Sequence, residues 1–127
     1  MNDIILDASA IIAVLKREPG AERVAAVAEG ARVSALTVAE IATWLTMEGV
    51  QADQANTAIN LFRLTVEPFH QKRALAAGFL VAKTRHRGLS LGDRACLALA
   101  LELNLPVMTG DRAWRDLDIG VDIRMFR

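Results

Sequence analysis

A chain of 127 residues, 53% apolar but only 5% aromatic, is long enough for one domain (residues 1–127) with a core of Ala, Leu, Val and Ile, which excludes intrinsic disorder. Its fifteen basic and fifteen acidic side chains cancel, so no global field attracts nucleic acid, and an anionic partner has to be held by a local patch or through metal. One cysteine excludes an internal disulfide and two histidines are too few for a zinc centre with nitrogen and sulfur ligands, which together fit a reducing cytoplasm.

The apolar run near the amino terminus is broken by Asp3 and Asp7 and has no basic lead, so neither a signal peptide nor a membrane span is expected. Ile4, Ile5 and Leu6 read as a short buried strand, after which Asp7 or Ser9 caps a helix running to about Lys16. Residues 21–28 suit a second helix, and residues 32–35 a strand. Thr37 is then expected to cap a helix that carries Glu40 in its first turn. A helix opens at Asp53 and runs through Leu64, residues 65–67 form a short strand ended by Pro68, and residues 71–84 form one longer helix with a basic end. Ser90 and Asp93 match the capping pattern Ser-x-x-acid ahead of a helix reaching Glu102. Residues 106–109 make a strand, 112–114 a helical turn, and 121–125 a last strand at a sheet edge.

Strands alternating with helices imply an α/β fold with a parallel sheet covered on both faces, and ligands of such sheets gather at the carboxyl ends of the strands. Asp7, Glu40 and Asp111 each follow a strand, and Asp93 heads a helix that can point the same way. Each of the four is flanked by apolar residues, where an ionised carboxylate persists only if it is paired, caps a helix or binds metal. For any one of them a cap or a helix-dipole role is as good a reading as a ligand role, and their joint occurrence favours the site. Oxygen ligands alone select Mg²⁺ or Mn²⁺ over zinc or copper, and such an ion, holding a water in line with phosphorus, outlines a phosphodiesterase.

Asp7-Ala8-Ser9, Glu40, the stretch Ser90-Leu91-Gly92-Asp93-Arg94-Ala95-Cys96 and the stretch Thr109-Gly110-Asp111-Arg112-Ala113-Trp114 together resemble the PIN-domain family, and within it the VapC-type ribonuclease toxins of bacterial type II toxin–antitoxin systems. The likeness spans essentially the whole chain. It implies a three-layer α/β/α sandwich around a mainly parallel sheet of four or five strands. It also implies that Asp7, Glu40, Asp93 and Asp111 bind Mg²⁺ or Mn²⁺, with Ser9 and Thr109 hydrogen-bonding around them and Asp116 as the alternative fourth ligand. The partners implied are an RNA substrate, a VapB-type antitoxin, and a second copy of the chain in a larger toxin–antitoxin assembly. The antitoxin's apolar segment is expected in a groove near Leu15 and Trp44.

Arg94 and Arg112, each next to a proposed ligand, are candidates for gripping RNA phosphate, and Arg85 and Arg87 either join them or form a solvated helix end. Cys96 reads as a small core residue and Trp114 as packing. The competing functions are a non-catalytic RNA-binding or scaffold protein of the same fold and a Mg²⁺-dependent phosphatase. The phosphatase fits poorly, because Ser9 stands where a second acid is wanted. A histidine ribonuclease is weaker still, because His70 and His86 fall in separate segments.

Overall fold

The computed structural model describes residues 3–127. Five strands, β1 (Ile5–Leu6), β2 (Arg32–Ser34), β3 (Thr65–Glu67), β4 (Val107–Thr109) and β5 (Ile123–Met125), form one sheet in the order β3-β2-β1-β4-β5, with every neighbouring pair parallel. Helices α1 (Ala8–Lys16) and α2 (Ala21–Ala28) carry the chain from β1 to β2, and α3 (Ala35–Met47) and α4 (Ala52–Asn60) carry it on to β3. The return to β4, on the far side of β1, runs through α5 (Gln71–Phe79), α6 (Val81–Thr84) and α7 (Leu91–Leu103).

Because the chain moves one way along the sheet for β1 to β3 and then reverses, right-handed crossovers put α1–α4 on one face and α5–α7 on the other. The two cores show it. Ile4, Leu6 and Val33 pack with Ile11, Val24 and Ile41 from the first helices, while Ile5 and Val107 pack with Leu97, Leu99 and Trp114. Along β1 the residues thus alternate between cores, as the two-residue period of a strand demands. The result is a three-layer α/β/α sandwich whose direction reverses between β1 and β4, and the carboxyl ends of those two strands open the crevice where such sheets bind ligands. Among the described residues no helix is long and apolar enough to cross a membrane.

Four local expectations need correction. Ser34, not Thr37, caps α3, accepting a hydrogen bond from the Leu36 N–H at 3.2 Å, so Glu40 lies in the second turn. Thr37 is fully buried. Helix α4 ends at Asn60 rather than Leu64, because the chain tightens there and Arg63 adopts a left-handed conformation (φ 55°) from which its carbonyl accepts the Gly30 N–H. The expected long helix over 71–84 is broken after Phe79. Arg94 donates from Nη1 to the Ala77 and Gly78 carbonyls (2.9 and 3.3 Å), and the Thr84 hydroxyl takes the Leu80 carbonyl, so side chains occupy acceptors that an uninterrupted helix would use. The last strand begins at Ile123, where the ladder to Val107 starts, and Val121 packs into the second core ahead of it.

Candidate active site

Asp7 leaves β1 in extended conformation and caps α1. Its Oδ1 accepts from the Ala10 N–H at 2.9 Å and from the Ser9 hydroxyl at 2.7 Å, and its Oδ2 accepts from the Thr109 hydroxyl at 2.5 Å. Those hydroxyls are themselves held: the Gly110 N–H donates to Ser9 Oγ (2.9 Å) and the Asp111 N–H to Thr109 Oγ1 (3.0 Å). Two hydroxyl relays therefore stitch the turn after β4 to the start of α1 and fix the Asp7 carboxylate while leaving one lone pair of Oδ2 free. Asp7 is 3% exposed, and burial pushes its pKa up to about 6, against the lowering influence of these hydrogen bonds.

Glu40 and Asp93 come from α3 and α7, which meet at a buried contact of 3.2 Å between Thr37 Oγ1 and Cys96 Sγ, one turn from each acid. Asp93 closes a capping box with Ser90: its Oδ2 accepts the Ser90 N–H at 3.0 Å, and its own N–H donates to Ser90 Oγ at 3.2 Å. The cap uses one Asp93 oxygen, and among the described residues the other accepts no hydrogen bond. Glu40 differs from the other three. It caps nothing, and among the described residues no donor reaches its carboxylate. Burial raises both pKa values; for Glu40 the neighbouring charges of Asp93 and Asp7 add to it, and for Asp93 the charge of Asp111 does.

Asp111 caps the short turn Arg112–Trp114, its Oδ1 accepting the Ala113 N–H at 2.9 Å. Asp116 is exposed in a left-handed conformation (φ 61°), and the charge of Asp111 is among those that raise the Asp93 pKa. Of the four basic candidates, two are already engaged. Arg94 holds the end of α5 as described, and Arg87 donates from Nη1 to the carbonyls of Ala113 (3.1 Å) and Arg115. Arg85 and Arg112 stay exposed. Trp114 is fully buried in the second core, and Cys96 is buried with its thiol pKa pushed far up by desolvation.

The charges of Asp7, Asp93 and Asp111 thus each favour protonation of another acid of the set, Asp7 acting on Glu40, Asp93 on Asp7 and Glu40, and Asp111 on Asp93. A hard divalent cation relieves that repulsion and matches the all-oxygen donor set. Among the described residues no three acidic, histidine or cysteine side chains stand close enough to enclose an ion by themselves. Two positions carry meaning that motif reading passed over: Thr37, expected to be a cap, and Gly92, whose signal was a glycine placed inside the first turn of a helix.

Sheet order and site together define a doubly wound α/β protein with an acidic crevice at its switch point. The chain belongs to the PIN-domain family, whose sequence pattern it matches over residues 4–120. Its fold is similar to that of DNA-bound VapBC from Salmonella typhimurium (19% identity, all of both chains covered, TM-score 0.75) and of Mycobacterium tuberculosis VapC20, described as a Sarcin-Ricin loop cleaving toxin (17% identity, 94% of this chain and 98% of that one, TM-score 0.76). VapBC-1 from nontypeable Haemophilus influenzae is alike at 24% identity over 97% of each chain, with a TM-score of 0.71. At these identities the likeness is one of fold. No curated protein matches the sequence.

Proposed function

We propose that this chain is a Mg²⁺- or Mn²⁺-dependent endoribonuclease, the VapC-type toxin of a type II toxin–antitoxin pair. The observation that carries the reading is the convergence of four acids from four separate segments on the crevice between β1 and β4. Asp7, Glu40, Asp93 and Asp111 would hold the cation, which when bound supplies the positive charge and Lewis acidity that phosphodiester hydrolysis needs. Asp7 is the rigid member, locked by three donors, whereas Glu40 is free to adjust to its ligand. Arg85 and Arg112, exposed and uncommitted, are the cations proposed to meet RNA phosphate.

Incubating RNA with the purified chain should give cleavage in Mg²⁺ or Mn²⁺ and none in EDTA, with 5′-phosphate and 3′-hydroxyl ends. Full activity in EDTA, or 2′,3′-cyclic phosphate ends, rejects the mechanism.

The proposed partner is a VapB-type antitoxin, supported by fold likeness to chains from toxin–antitoxin complexes. An apolar groove between α1, α2 and α4, lined by Val14, Leu15, Ala28, Leu61 and Phe62, is its proposed seat. Leu15 lines this groove and Trp44 does not, although both pack against the first core. Pairing of two toxin chains in the assembly is proposed on the same likeness. Leu61 is 77% exposed, so Leu61→Glu should leave folding intact. In co-expression with the adjacent open reading frame, the parent should copurify with that product and the Leu61→Glu variant should not. Equal recovery of the partner by both would place the interface elsewhere.

A further inference from the structure

Gly92 occupies the second position of α7, between the Ser90 cap and Asp93. Its backbone is ordinary right-handed helix, so no left-handed turn demands glycine there, and alanine would favour the helix by up to about 1 kcal/mol. What demands glycine is space. A Cβ at this position would fall inside the Glu40 carboxylate, overlapping its carbon and both oxygens. Gly92 is buried, and Glu40 reaches it from α3 with, among the described residues, no donor to hold its head group. The missing side chain is the seat of that carboxylate, beside Asp93.

We propose that Gly92 is a positioning residue, present to let the Glu40 carboxylate lie against the first turn of α7 where it shares a cation with Asp93; this rests on reading Glu40 as a ligand. The overlap involves the far end of a flexible side chain, not backbone. Substitution should therefore push Glu40 out of place while the helix, its capping box and the Thr37–Cys96 contact stay as they are.

The test is Mn²⁺ binding by calorimetry, without RNA, on the parent, Gly92→Ala, Glu40→Ala and the double variant, with metal-free melts alongside. Gly92→Ala should melt no lower than the parent and bind Mn²⁺ about tenfold or more weakly. In the Glu40→Ala background the same substitution should cost nothing further, because the group it displaces is gone. Parent-like affinity in Gly92→Ala, or an equal loss in both backgrounds, overturns the proposal. If Gly92→Ala is too unstable to assay, the double variant should recover the melt of Glu40→Ala, and failure to recover also overturns it. A parent that binds no Mn²⁺ refutes the metal reading itself, an outcome distinct from any failure of Gly92 alone.

Discussion

Glu40→Gln should fold, melt slightly higher than the parent in metal-free buffer, and cleave RNA at least about 100-fold more slowly. Shape and volume are kept, and no hydrogen bond is lost, since among the described residues no donor reaches this carboxylate. What disappears is a charge that Asp93 and Asp7 oppose. Half-burial leaves solvent to screen much of the repulsion, so the gain should be below about 1 kcal/mol, at most about 4 °C in Tm. Asp7→Ala is the contrasting case: it removes a helix cap and strands the Ser9 and Thr109 hydroxyls, at a cost of about 2–3 kcal/mol. Activity and paired melts of both variants decide the point. Should Glu40→Gln melt well below the parent without metal, the residue is structural and its place in the site is wrong.

Metal-free stability should fall as pH rises from about 4 to about 7. Asp7, nearly inaccessible to water, keeps its proton up to about pH 6 in the folded chain but only to about 3.8 when unfolded. Between those values the native state binds more protons, and each unit of pH there costs it about 1.4 kcal/mol. Over the window Asp7 alone accounts for about 3 kcal/mol, on the order of 10 °C in Tm for a domain of this length. Glu40 and Asp93, also raised, act in the same direction. On the proposed reading a cation would be held by the deprotonated carboxylates, so stabilisation by Mg²⁺ should grow over the same range and offset the fall. Melts in EDTA at several pH values test this, with Asp7→Asn as the flattened control. A parent whose Tm holds level or climbs from pH 4 to 7 without metal would refute the buried, proton-holding Asp7.

Much of this architecture is local and therefore readable from residues alone. The Ser90–Asp93 box, the Asp7 cap and the strand-then-acid junctions need only neighbours in sequence, and the alternation of strand with helix carries the parallel sheet. What sequence reading missed depends on contacts between distant segments. Arg94 breaks the 71–84 helix by taking two carbonyls sixteen and seventeen residues upstream. Thr37 gives up a capping role because Cys96 lies opposite it. The same holds for Arg73, which joins Glu67 to Glu102 across β3, α5 and α7 (3.0 and 2.9 Å), where sequence offers only a charge among charges. Gly92 is legible only once Glu40 is seen above it.

The chain's one cysteine sits at the seam between α3 and α7, the helices that bear Glu40 and Asp93. Fully enclosed and with its thiol held protonated, Cys96 meets a solvent reagent only when that seam parts. The native protein thus carries its own clock for the separation of these two helices: the rate of thiol labelling counts openings, in a position no engineered probe would have to disturb.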